Sequence, residues 1–129
     1  MRQYGLPRQR RIRKRADFQA CYEDGRRFHS EHFLVFVAPG AQSCGTRSGA
    51  AVTRKVGGAV TRNRIKRLLR EFCRLYREDL PVDADIVAVA KKHAGESALG
   101  LTDVASELLP LMRRAARSCA ERRDRDGQA

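Results

Sequence analysis

Residues 50–77 read Ala50-Ala-Val-Thr-Arg-Lys-Val-Gly57-Gly-Ala-Val-Thr-Arg62-Asn-Arg-Ile-Lys-Arg-Leu-Leu-Arg70-Glu-Phe-Cys-Arg-Leu-Tyr-Arg77, a short strand and a glycine turn that run into a helix. At about 100° per residue, Ile65, Leu68, Leu69, Phe72 and Tyr76 form one stripe of that helix, and Asn63, Lys66, Arg67, Arg70, Arg74 and Arg77 crowd the other side. The apolar stripe needs a core to pack on. The basic side has no internal answer to its charge: from Arg54 to Arg77 there are nine Lys or Arg against one acid, Glu71. Such a face implies a polyanionic partner.

The whole chain repeats the imbalance, with 129 residues carrying 27 Lys and Arg against 15 Asp and Glu, a formal charge of +12. Self-repulsion of that size is tolerable when a partner screens it, which points to nucleic acid or an anionic membrane. Membrane is the poorer reading, because no apolar run approaches the roughly 18 residues of a spanning helix. The N-terminal arginines are not followed by the apolar segment of a secretion signal, so a cytoplasmic protein is expected. The length suits one domain. Cys21, Cys44, Cys73 and Cys119 form no Cys-x-x-Cys pair, which argues against a zinc knuckle or redox motif; Cys21, Cys73 and Cys119 fall on or beside apolar stripes, as reduced thiols do. His29, His32 and His93 are scattered without ligand spacing, so exposed or partly buried histidines and no protein-borne metal site are expected.

Outward from the basic helix, residues 1–15 hold seven Lys or Arg and no acid, a mobile basic arm; residues 16–122 form the domain; and residues 123–129 are a polar tail. From Ala16, Phe18, Cys21 and Tyr22 give a short amphipathic helix that Gly25 closes as a C′ residue. Phe28 to Ala38 reads as one strand, apolar on both sides, either covered twice or open on one face as an aromatic platform. Ala41 to Ser48 reads as a loop and Gly49 to Val56 as a second strand, whose alternation puts Arg54 and Lys55 on opposite faces. Gly57-Gly58 reads as a structural turn or, given its basic surroundings, a phosphate-binding approach to the helix N-terminus. The basic helix spans Arg62 to Glu78 and must end before Pro81. Asp85 to Ala90 is a buried strand, and a last helix starts at a Thr102 cap with a kink or break at Pro110. The order makes an α+β domain.

Phosphodiester cleavage by the chain's own side chains would need paired carboxylates or a histidine held near a leaving group. Glu78, Asp79, Asp83 and Asp85 cluster only loosely beside Pro81, as a solvated loop would, so no catalytic residue is assigned.

The run Thr53-Arg-Lys-Val-Gly57, then Ala59-Val60, then Arg62-Asn-Arg-Ile-Lys-Arg67 with Arg70 and Glu71 behind it, resembles in order and spacing the signature of the bacterial ribonuclease P protein component. The resemblance extends from about Leu6 to about Cys119. It implies a single-domain, four-stranded sheet in α-β-β-β-α-β-α order with a left-handed βαβ crossover, the ribosomal protein S5 domain 2-like arrangement. Physics alone favours the opposite hand, since about 98% of such crossovers are right-handed. It also implies a monomeric protein partner of a catalytic RNA that removes the 5′ leader of precursor tRNA, with Mg²⁺ bound mainly by the RNA. Carried over, the signature assigns Lys55, Arg62, Asn63, Arg64, Lys66, Arg67 and Arg70 to the RNA, and it matches Phe18, Tyr22 and Phe36 to a leader-binding cleft that Arg54 or Lys55 edges. Rings at this spacing also suit a core. Gly58 and Pro110 depart from the family's usual residues. A structural RNA-binding protein, such as a ribosomal component, is the competing class; a DNA-binding domain stands third, for want of helix-turn-helix spacing.

Overall fold

The computed structural model describes residues 11–39, 46–81 and 83–127, the side chains of 119–127 excepted. The basic arm therefore lies outside the described residues up to residue 10, as do Cys44, the Cys119 side chain and the last two residues of the tail. In chain order come α1 (Arg15–Asp24), β1 (Arg26–His29), β2 (Phe33–Pro39), β3 (Arg47–Ala51), α2 (Ala59–Leu75), β4 (Ala84–Ala90) and α3 (Leu101–Gly127), with 3-10 turns at Arg77–Asp79 and Lys92–Gly95. The four strands form one sheet in the order β1-β2-β4-β3. β4 pairs antiparallel with β2 and parallel with β3.

Strand alternation sorts the side chains into two layers. Phe33, Val35 and Val37 of β2 and Ile86, Ala88 and Ala90 of β4 join Ile65, Leu69 and Phe72 of α2 and Val104, Leu108, Leu111 and Met112 of α3 in the main core. On the other face Ala38 and Val87 meet Cys21 and Ile12, with Phe18, Tyr22 and Phe36 half-buried around them. The sheet is thus closed on one side and partly open on the other.

The hand of the β3–α2–β4 crossover follows from Ser48. It pairs with Ile86, which lies in the main core beneath α2, so its side chain faces α2, while its carbonyl accepts the Ile12 N–H on the edge away from β4. In an L-residue, a side chain facing the viewer on an ascending strand sends its own N–H and C=O to the right. Seen from α2, β4 therefore lies left of β3, and the crossover is left-handed.

Several expectations change. The strand read from Phe28 to Ala38 is two strands, β1 and β2, hinged at Ser30–His32. The second strand ends at Ala51; residues 53–56 form a turn closed by the Val56 N–H on the Thr53 carbonyl (3.0 Å), so strand parity does not separate Arg54 from Lys55. Gly25 is extended (φ −79°) rather than left-handed. What it supplies is room, since a Cβ there would stand 2.4 Å from the Cys21 carbonyl oxygen. Helix α2 starts three residues before Arg62, at a Gly58 cap, and gives way after Leu75 to the 3-10 turn. Thr102 is not the cap of α3; the Gly100 N–H donates to Asp103 Oδ2 (2.8 Å), half of a capping box. Helix α3 passes Pro110 unbroken because the ring sits on the exposed side, while the buried stripe holds the helix to the sheet. The helix also continues to Gly127, through most of the stretch read as tail. At the other end, Arg11 bridges Ser48 and Ile12 is buried, so the last part of the arm is docked on β3.

His32 is buried and is the centre of a clasp between the β1–β2 turn and α3. Glu107 accepts from the His32 N–H (2.8 Å), from Ser30 Oγ (2.8 Å) and from His32 Nδ1 (2.6 Å). His32 Nε2 stands 3.0 Å from Ser97 Oγ. Burial pushes the Glu107 carboxyl upward, but these hydrogen bonds and the His32 charge outweigh it, leaving the carboxyl below its ordinary 4.5. A second clasp is the bidentate pair of Arg47 with Asp85 (3.0 and 2.8 Å), which also reaches Asp17 of α1 at 3.5 Å.

Because the Glu107 carboxyl is lowered in the folded chain, its contribution is complete above about pH 4.5 and is lost as pH falls through the lowered value. Glu107→Gln should therefore lower stability at pH 7, measured by urea unfolding, and the difference from the parent should shrink toward pH 3. An equal deficit at both pH values would remove the carboxylate from the clasp.

Candidate nucleic-acid interface

Helix α2 divides as its sequence dictates: Ile65, Leu69 and Phe72 are buried, whereas Asn63, Arg64, Arg67 and Arg70 are exposed and Arg62 and Lys66 half-buried. Its one acid is taken. Glu71 binds Arg74 at 2.8 Å, and that hydrogen bond lowers the carboxyl. Among the described residues, Arg62, Lys66, Arg67 and Arg70 have no carboxylate within ion-pair distance. The Arg62 Nε is buried and has no hydrogen-bond partner among the described residues. Arg64 differs from its neighbours because its guanidinium donates to the Leu99 carbonyl, tying α2 to the segment before α3.

Lys55 and Arg54 are exposed together on the turn before α2, with Val56 buried beneath them. Two glycines fix that turn. Gly57 has φ +158°, a conformation other residues rarely adopt, and a Cβ on Gly95 would stand 1.8 Å from the Val56 carbonyl oxygen. Gly58 faces open space, so no close approach requires a glycine there. The structure thus gathers Lys55, Arg62, Asn63, Arg64, Lys66, Arg67 and Arg70 on one turn and one helix.

The aromatic residues come together on the opposite side of the sheet. Tyr22 meets Phe36 edge-on with ring centroids 4.9 Å apart, and Phe18 lies 6.5 Å from Tyr22. All three are half-buried, so they are at once the rim of a small core and a wall open to solvent. Gly49 lets Phe18 lie on β3, since a Cβ there would come within 2.9 Å of the ring. Arg47, bound to both Asp85 and Asp17, holds α1 at this height.

Register adds residues that the sequence reading missed. Arg27 pairs with Phe36, and Phe36 with Val87, in one row; His29, Leu34, Val89 and Ala51 form the next. Paired residues share a face, so Arg27 and His29, both exposed, stand on the aromatic side. The signal was hidden because reading β1 and β2 as one strand conceals which residues become neighbours. Among the described residues no three His, Cys, Asp or Glu approach as a metal cluster, and no helix is long and apolar enough to cross a membrane.

The family model described as Ribonuclease P matches residues 6–116. A ribonuclease P protein component from Desulfovibrio desulfuricans is 69% identical over 118 residues, covering 91% of each chain. One from Oleidesulfovibrio alaskensis is 48% identical, covering 84% of this chain and 87% of the relative. Among solved structures, the ribonuclease P protein of Thermotoga maritima superposes with a TM-score of 0.73 at 32% identity, covering 81% of this chain and 96% of that one. That of Staphylococcus aureus gives 0.72 at 29%, covering 82% and 94%. With the basic helix and the left-handed crossover already in place, these matches identify the kind of molecule: the chain belongs to the ribonuclease P protein family, as a protein component of that endoribonuclease.

Proposed function

We propose that the α2 face binds the catalytic RNA of ribonuclease P and that the aromatic side of the sheet receives the 5′ leader of precursor tRNA. The observation that carries the reading is the cationic face of α2, whose one acid is already paired with Arg74. Guanidinium forks on Arg62, Arg67 and Arg70 grip phosphate in two-point fashion, and Asn63 adds a directed bond with both donor and acceptor. Arg64, held by Leu99, offers its charge from a fixed position.

For the leader, Phe18, Tyr22 and Phe36 supply ring faces that tolerate any base, and Arg27 and His29 supply donors for its backbone. Arg54 and Lys55, exposed side by side, serve the RNA or the leader from the turn. The chemistry belongs to the RNA, together with Mg²⁺, which assists cleavage of the phosphodiester. Among the described residues no three His, Cys, Asp or Glu lie close enough to cage the ion, and four carboxylates are committed to other partners: Glu71 to Arg74, Asp17 and Asp85 to Arg47, and Glu107 to His32. A single copy per RNA fits the edge strand β1, whose exposed Arg26, Arg27 and His29 discourage strand pairing between copies. Burial pushes the thiols of Cys21 and Cys73 up to about 11, so both stay protonated and unreactive near neutral pH.

Arg67→Ala with Arg70→Ala should weaken binding to the ribonuclease P RNA and reduce the slope of log K against log salt by about 0.7–0.9 for each phosphate no longer neutralised. An unchanged slope in filter binding at several salt concentrations would rule out phosphate binding by these two arginines. Phe36→Ala with Arg27→Ala should weaken a leader-bearing substrate more than mature tRNA, by about 1–3 kcal/mol for each stacked base. Equal losses for both would mean damage to the fold.

A further inference from the structure

A cavity of about 280 Å³ opens past the outer edge of β3, between the sheet and α2. Its inner wall is aliphatic and aromatic, made by Val35, Leu69, Phe72, Ile86, Leu108 and Met112, all buried. Its rim is cationic, formed by Arg11 and Arg13 of the docked arm and Lys66 and Arg70 of α2. The volume lies at the lower end of small-molecule sites, which run about 300–1,000 Å³. Arg11 Nε, on this rim, is buried and has no hydrogen-bond partner among the described residues.

We propose that the cavity binds a small amphipathic anion, an apolar body carrying a single carboxylate, sulfonate or phosphate. The apolar wall takes the body, and the rim holds the head group through charge-assisted bonds that also satisfy Arg11. Apart from Ser48 and Cys73, no side chain of the interior carries a hydrogen-bond donor, so the interior offers little to a polar guest. That decides against an unstacked RNA base, whose amide and amine edges would be buried against aliphatic carbon without partners. The cavity reaches Phe18 of α1 as well, so it adjoins the leader cleft at that ring. It shares Lys66 and Arg70 with the proposed RNA face, so occupancy competes with RNA for the same cations.

The test is titration of the full chain, without RNA, by 8-anilinonaphthalene-1-sulfonate, read by fluorescence. One saturable site is expected, displaced by octanoate and not by adenosine 5′-monophosphate at equal concentration. Ala50→Leu, which fills the cavity from β3, should weaken the probe at least tenfold without lowering the thermal midpoint. Arg11→Gln with Arg13→Gln should do so at least tenfold from the rim, and provides the answer if Ala50→Leu does not fold. Binding that neither variant changes, or that never saturates, would overturn the site. Displacement by adenosine 5′-monophosphate as effective as by octanoate would overturn the choice of ligand in favour of a nucleotide. Because no RNA is present, either result stands apart from the fate of the α2 reading.

Discussion

Strand β4 is hydrogen-bonded along both edges and buried at every residue but Val89, and the rest of the molecule is arranged by that fact. Ile86, Ala88 and Ala90 commit one face to α2 and α3, while Val87 meets α1 on the other. A strand so enclosed admits a charge only if it is neutralised on the spot, and Asp85 is, by Arg47 from the neighbouring strand. The same arginine reaches Asp17, so the pair that makes the centre tolerable also sets the height of α1 over the sheet.

From this follows the separation of the two faces of the sheet. Helix α2 returns the chain from β3 to β4, and the left-handed crossover puts it beside α3 with its charged side outward. Helix α1 covers only part of the other face, leaving Leu34, Phe36 and Val89 half-open. One thin sheet therefore carries a charged surface on one side and a ring-lined surface on the other.

Much of this could be read from the chain. The stripe of Ile65, Leu69 and Phe72 and the continuous apolar run of β4 announce their burial through periodicity, and the basic side of α2 announces its exposure through missing acids. What could not be read depended on distant partners. The split of β1 from β2 turns on Ser30 and His32, whose hydrogen bonds to Glu107 lie 75 or more residues away in sequence. Ile12 lies in the stretch read as a mobile basic arm, and its burial depends on the edge of β3, which the sequence does not place beside it. Pro110 looked like a break because its neighbours in sequence do not show which side of α3 meets water.

The contact of Gly95 with the Val56 carbonyl has a consequence for how this surface can be inherited. Two stretches of main chain, nearly forty residues apart, meet where no side chain intervenes, and the pose of Arg54 and Lys55 is set by that meeting. The position that aims these two cations bears no charge itself, and a Cβ there would meet main chain that cannot swing aside as a side chain can. The geometry of the turn is thus guarded by a hydrogen atom.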